Sequence, residues 1–89
     1  MIEYSVYSIR DVKSGFLTPT VEINDDVACR NFSHAIQTGD SVFRTHARDF
    51  ALYRIGTFDV ETGYIGNEGL PILVLEASDV VRGLEGSDS

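Results

Sequence analysis

Cysteine, histidine and tryptophan are nearly absent from this chain. Its 89 residues include one cysteine, two histidines and no tryptophan. The lone Cys29 excludes an intrachain disulfide and indicates a reducing cytosol. His34 and His46 are far apart in sequence, and together with a single cysteine they do not complete a zinc-binding set. We therefore predict no metal site, and we interpret Cys29 as a small buried thiol rather than a nucleophile.

Patterns typical of enzymes are also missing. The glycines at positions 56, 63, 66 and 69 follow predicted strands and turns, and they lack the spacing of a phosphate loop that opens a helix. Asp59 and Glu61 form a close carboxylate pair, but a turn-capping role for Asp59 accounts for that position. We predict that the protein is not an enzyme and needs no cofactor.

Long apolar runs are missing too. No stretch approaches the ~20 apolar residues of a membrane-spanning helix, and the first ten residues lack the basic start and apolar centre of a signal peptide. We expect one small domain over residues 1–82 and no membrane association. Residues 83–89 contain little apolar surface and are predicted to form a disordered acidic tail.

Positive charge is scarce and unevenly distributed. The formal net charge is −7, which ordinarily argues against nucleic-acid binding. Residues 27–56, however, contain four arginines and two aspartates, a balance of +2, whereas the remainder has three basic and twelve acidic residues, a balance of −9. This pattern predicts a basic centre that binds a phosphate backbone in a salt-dependent way. Arginines that are simply solvated are the alternative interpretation.

Residues 46–65 carry the clearest structural signal. Residues 50–58 are rich in β-branched and aromatic side chains, which predicts a strand. In the turn that follows, the carboxylate of Asp59 is placed to accept backbone amides, and Gly63 is suited to a left-handed conformation. Tyr64 and Ile65 then begin the return strand, so the segment predicts a β-hairpin.

The first half of the chain predicts a strand, a loop and a helix. Residues 2–9 are apolar on both faces, which is typical of a central strand or one packed against a partner. Residues 10–20 are predicted to be a loop. Asn24 or Asp25 caps a helix that runs to about Thr38 and stops at Gly39. The helix has an apolar stripe at helical spacing that would dock on the sheet, formed by Ala28, Phe32, Ala35 and Ile36.

The remaining segments complete the predicted fold. Residues 40–48 are predicted to be a short helical turn or an irregular loop, and residues 66–71 a second loop. Residues 72–77 fit a fourth strand, with a helical turn as the alternative. The order β-α-β-β, possibly with a further C-terminal strand, predicts an α+β fold in which one helix packs on a small, mostly antiparallel sheet.

Two motifs resemble a known family. His46, Asp49, Phe50 and Leu52 match a His-Pro-x-Asp-Phe-x-Leu pattern, with Ala47 in place of proline. A Gly-x-Phe-Asp-x-x-Thr-Gly pattern is matched by Gly56, Phe58, Asp59, Thr62 and Gly63. Both are similar to motifs of the small non-structural protein of gokushoviruses, a branch of the Microviridae, the tailless single-stranded-DNA phages; the resemblance covers roughly residues 1–80.

The resemblance implies a function in phage replication. Members of the family are regarded as DNA-binding proteins that act when synthesis turns from duplex replication to single-strand production and packaging. It therefore implies single-stranded DNA as the partner and the host bacterial cytoplasm as the location. An acidic adaptor that binds the replication initiator or a capsid protein, without contacting DNA, is the second hypothesis.

Eight residues are candidates for DNA contact. Arg44, Arg48 and Arg54 are suited to phosphates, and Tyr53 or Phe16 to stacking on bases. For Phe16, anchoring in the core is the alternative, and for Arg30 it is simple solvation. The complete set is Arg44, His46, Arg48, Tyr53, Arg54, Arg30, Lys13 and Phe16. Because the core is small and the first strand is apolar on both faces, we also expect a homodimer formed through sheet edges or faces.

Overall fold

The computed structural model describes residues 3–38 and 42–86, and in this part of the chain five strands and three helices form an α+β fold, as the sequence predicts. The strands are β1 (Glu3–Asp11), β2 (Gly15–Phe16), β3 (Thr20–Glu22), β4 (Phe50–Asp59) and β5 (Ile65–Glu76). The helices are α1 (Asp25–Thr38), α2 (Val42–Thr45) and α3 (Ala77–Gly86), and a 3-10 turn, Ala47–Asp49, precedes β4.

All strand pairs are antiparallel. The sheet order is β2-β1-β4-β5, and the short β3 also pairs with β1. Strand β1 is therefore central, as its two apolar faces predict. One extra residue, Ile55, interrupts the β1–β4 register, which shifts between Val6 and Tyr7. Such a bulge bends the strand and changes the face on which the following side chains lie.

The core lies between the sheet and the helices. Ala28, Phe32 and Ile36 on α1 are buried, and they form one cluster with buried side chains of β1 and β4 and with Ala77 of α3. The fourth residue of the predicted stripe, Ala35, is exposed. The cap is confirmed, because the Asn24 side chain accepts the Val27 amide at 2.9 Å. The predicted stop at Gly39 lies outside the described residues.

The hairpin is confirmed, with its return strand beginning at Ile65 rather than Tyr64. The Asp59 carboxylate accepts the Glu61 amide at 2.9 Å, and the Gly63 amide donates to the Asp59 carbonyl at 2.8 Å. Gly63 has φ +78°, in the left-handed region that glycine enters without steric cost. Local turn chemistry therefore sets the register of β4 against β5.

Two predicted loops contain strands. Within residues 10–20, β1 continues to Asp11 and β2 follows a turn in which the Asp11 carboxylate accepts the Lys13 amide and the Ser14 hydroxyl, both at 2.9 Å. Residues 66–71 belong to β5. Their loop-like composition corresponds to a bulge in the strand. The pairing of β5 with β4 jumps from Asn67 to Ile72, and the intervening residues are unpaired in this ladder.

The C-terminal end is more helical than the sequence suggested. Helix α3 follows β5 directly and extends to Gly86, which covers the start of the predicted tail; residues 87–89 lie outside the described part of the chain. Ala77, Val80 and Val81 recur at helical spacing and pack on the core. Residues 42–49 form α2 and the 3-10 turn, in agreement with the predicted helical turn. Among the described residues, no helix combines the length and hydropathy needed to cross a membrane.

Candidate nucleic-acid interface

Backbone hydrogen bonds bring cations from two distant segments to one end of the sheet. The Val12 amide, in the turn after β1, donates to the Asp49 carbonyl of the 3-10 turn at 3.0 Å. This bond places Lys13 beside the segment that carries the other cations. We define the basic end as Lys13, Arg44, His46 and Arg48, all of which are exposed. The bond therefore joins the two segments that carry four of the eight predicted contact residues.

The segment that presents these side chains is held firmly. The His46 amide donates to the Val42 carbonyl and the Asp49 amide to the His46 carbonyl, both at 2.9 Å. The ring of Phe43 packs edge-on against Phe50, with centroids 4.8 Å apart. Because Phe50 is a buried core residue, α2 is anchored to the sheet.

Two predicted stacking residues contact each other near the basic end. Phe16 of β2 lies edge-to-face on Tyr53 of β4, with ring centroids 5.7 Å apart and an interplanar angle of 76°. Phe16 is 46% exposed, so it is not the buried core anchor that was the alternative. Tyr53 is half-buried. The geometry makes Phe16 the accessible ring and Tyr53 its support.

Arg10 was missed by the sequence analysis. It is exposed and lies directly opposite Phe16 in the β1–β2 pair, so the two side chains share one face of the sheet. Two signals were available, the alternation of β1 and the position of Arg10 shortly before Lys13. The prediction that residues 10–20 form a loop obscured both.

Arg54 lies elsewhere. Adjacent residues of a strand point to opposite faces, and Arg54 faces the helices whereas Tyr53 faces away from them. The Arg54 guanidinium contacts both carboxylate oxygens of Asp25, at 2.8 and 3.1 Å. The Tyr7 hydroxyl donates to the same carboxylate. Arg54 is thus part of an ion-paired cluster at the start of α1.

The cluster changes the acidity of its members. The hydrogen bond from Tyr7, and then the interaction with Arg54, hold the pKa of Asp25 below its ordinary value despite partial burial. Burial, together with the bond to Asp25, raises the pKa of Tyr7 to about 12. At neutral pH the cluster therefore holds a neutral phenol, a carboxylate and a guanidinium.

The opposite end of the sheet is acidic. Glu3 pairs with Asp59 in the β1–β4 register, and Glu61 lies in the adjoining turn. We call these three residues the acidic end. Residues 3–5 and 57–64 include no lysine or arginine. The ten residues of β4 span about 30 Å, so the two ends are well apart. The end that carries the cations also carries Asp11, Asp49 and Glu76.

Arg30 and Cys29 lie on α1. Arg30 is exposed and is not part of the basic end as defined. Cys29 is half-buried, and burial, then the nearby carboxylates of Asp25 and Asp26, raise the pKa of its thiol. A protonated thiol is a poor nucleophile. The described residues contain no group of three or more histidine, cysteine or acidic side chains placed to hold a metal ion.

The model of one protein family, described as the phage ORF5 protein, matches residues 4–80, which is most of the chain. No curated protein and no solved structure matches this chain. The match confirms that the sequence is of phage type. The narrower resemblance to gokushoviruses and the Microviridae stays a prediction.

Proposed function

The chain belongs to the phage ORF5 protein family, and we propose that it binds single-stranded DNA through its basic end. The observation that carries this proposal is the hydrogen bond between Val12 and Asp49, because it brings Lys13 to the segment with Arg44, His46 and Arg48. Clustered, exposed cations attract a phosphate backbone even on a protein of negative net charge, provided that the salt concentration is low.

Preference for a single strand follows from Phe16. Its half-exposed ring lies on the face that also carries Arg10, close to the basic end. A base is available for stacking on an aromatic ring when it is not paired in a duplex, and such stacking contributes about 1–3 kcal/mol per base. Phosphate contacts give affinity, and Phe16 adds selectivity for unpaired bases.

The proposed biological role is that of a non-structural phage protein without enzymatic activity. It binds the genome during replication, or during the switch to single-strand synthesis and packaging, in the cytoplasm of the host bacterium. This role is supported by the phage family and by the resemblance of the hairpin motifs to those of gokushoviruses. No cofactor is required for binding of this kind.

The acidic end supports a second candidate function. Glu3, Asp59 and Glu61 lie together without a neighbouring cation in the flanking described residues, and such a surface steers a protein toward a basic protein partner. An adaptor that binds the replication initiator or a capsid protein would use this end and leave DNA uncontacted.

Fluorescence anisotropy with a labelled ~30-nucleotide single strand and the matching duplex tests the proposal, since electrostatic contacts are strongest at low salt. We expect salt-sensitive binding that favours the single strand. The variant Phe16→Ala should weaken single-strand binding by about 1–3 kcal/mol and leave duplex binding nearly unchanged. An absence of single-strand binding at low salt would overturn the proposal and favour the adaptor.

A further inference from the structure

One face of the sheet is apolar and carries none of the described helices. Paired residues of neighbouring strands share a face, and Tyr7, Phe50 and Leu52 identify the face that packs on the helices. The alternate residues form the opposite face. Val21, Ile65 and Leu73 are 42–63% exposed there. We define the uncovered face by six of its apolar side chains: Tyr4, Val21, Tyr53, Phe58, Ile65 and Leu73. Val6, which is 6% exposed, and Phe16, in the row of Arg10, lie on the same face.

The charge of this face restricts its occupant. The strand register places Arg10 and Glu76 on it, both in the row of side chains nearest the basic end. The rows that contain the six apolar residues have no charged side chain. In these rows a nucleic acid has no cation to bind, and a charged protein partner has no charged side chain to pair with. A second copy of the chain offers an equally apolar, equally uncharged surface.

The area is compatible with a dimer. Strands β1, β4 and β5, with the edge that β2 and β3 form together, lie about 4.8 Å apart. Over about seven residues they give roughly 450 Å² of flat surface on each copy. The accessible area of a side-chain layer exceeds its flat projection, so two such faces reach the roughly 1,000 Å² that a specific interface requires. Packing two sheets face to face also gives a small domain a second apolar layer.

The positions of Arg10 and Glu76 select one arrangement. In their row, the strand order places Arg10 on β1, Ala51 on β4 and Glu76 on the outer strand β5. Consider a twofold axis that lies in the interface and runs parallel to the strands. It reverses the order of the strands across the facing sheet and keeps their direction. Arg10 of one copy then lies across from Ala51 of the other copy. Glu76 of that other copy lies on the neighbouring strand of the facing sheet. The arrangement therefore forms two symmetric pairs, each between Arg10 of one copy and Glu76 of the other.

We propose that this protein is a homodimer in which the uncovered faces of two copies pack together with their strands aligned, so that Arg10 of each copy pairs with Glu76 of the other. This alignment brings both basic ends to the same end of the dimer. It also places Phe16 across from Glu76 of the other copy, so stacking of a base on Phe16 belongs to the monomer and the dimer offers a doubled cationic surface for phosphates. This consequence for DNA rests on the proposed function; the dimer itself does not.

The first test compares two adjacent residues of β5 that face opposite ways. Leu73 pairs with Tyr53 on the uncovered face, and Ile72 pairs with Arg54 on the helix face; they are 49% and 42% exposed. Sedimentation equilibrium of the full chain without DNA should give a dimer. Leu73→Glu should weaken the dimer about a hundredfold or more, and Ile72→Glu less than about threefold. A monomer at the highest attainable concentration, or equal effects of both variants, would overturn the proposal.

A charge exchange tests the alignment and does not depend on a core substitution. Arg10→Glu and Glu76→Arg should each weaken the dimer about tenfold, because each places like charges together. The double variant restores the pair and should return the dissociation constant to within about threefold of the original. A dimer that is unaffected by the single variants, or is not rescued in the double variant, would contradict the alignment. Both experiments omit DNA, so failure of the dimer and failure of DNA binding are distinguished.

Discussion

The guanidinium of Arg54 and the carboxylate of Asp25 are in contact at 2.8 Å, although 29 residues separate them in sequence. The contact joins the middle of β4 to the first residue of α1, and the Tyr7 hydroxyl binds the same carboxylate from β1. Three elements thus meet at one charged group. Arg54 belongs to the architecture of the helix face, which explains why it does not lie with the cations of the basic end.

Replacing Asp25 should change the acid stability of the fold. The pKa of Asp25 in the folded protein lies below the ordinary value of 3.8, so its stabilisation is present above that pH and is lost as the pH falls through the folded-state value. Because the Asp25 side chain is 45% exposed, solvent screens the pair, and Asp25→Asn should cost about 1 kcal/mol at neutral pH. Urea unfolding should show this difference at pH 7 and a smaller one near pH 2.5. A difference independent of pH would contradict the assignment.

Tyr7 should ionise at a higher pH than an ordinary tyrosine. Its pKa of about 12, against 10.0 for an ordinary tyrosine, means that the folded state holds the phenolic proton more tightly than the unfolded chain. The resulting stabilisation is fully present below pH 10 and is lost as the pH rises toward 12. Absorbance titration of the phenols should show a transition near pH 12, and Tyr7→Phe should remove it. The variant should also unfold about 1 kcal/mol more easily at neutral pH, because Asp25 loses a hydrogen bond. A high-pH transition that is the same in Tyr7→Phe as in the wild type would refute this prediction.

Gly56 should not tolerate a side chain. A Cβ at this position would collide with the backbone carbonyl oxygen of Gly66 on β5, and neither group is a flexible side chain. Gly56→Ala should therefore destabilise the protein by about 2–3 kcal/mol, since two paired strands must separate. Gly83 provides the control, because a Cβ there meets no atom within 4 Å. Gly83→Ala lies within α3 and should stabilise the protein by about 0.5–1 kcal/mol. Chemical denaturation that ranks the two variants in the opposite order would contradict the strand packing.

Local chemistry made much of the fold predictable. The cap at Asn24 and the turn from Asp59 to Gly63 both depend on side-chain oxygens that accept hydrogen bonds from nearby amides. Such patterns can be recognised from a few consecutive residues. The same holds for the α1 stripe, where Ala28, Phe32 and Ile36 recur at helical spacing. These signals predicted α1, the β4–β5 hairpin and the α+β class.

Long-range pairing could not be read in the same way. β2 is two residues long and forms only because it pairs with β1. β5 continues through Gly69 and Pro71, where its residues bulge away from β4. The candidate site shows the same difference between local signals and long-range pairing. The sequence named Lys13, Phe16 and Arg48, but the bond from Val12 to Asp49 that joins their segments spans 37 residues. Strand alternation alone would have separated Tyr53 from Arg54, and that local signal was overlooked.

The salt dependence of single-strand binding tests the central claim most directly. Each phosphate contact contributes about 0.7 to the slope of log K against log salt for a single strand. The double variant Arg44→Ala/Arg48→Ala should therefore flatten the slope by about 1.4, and Arg30→Ala, which removes the same kind of charge from α1, should leave it unchanged. Equal slopes for the wild type and the double variant, or an equal loss in the Arg30 control, would contradict the assignment of the basic end as the DNA-binding surface.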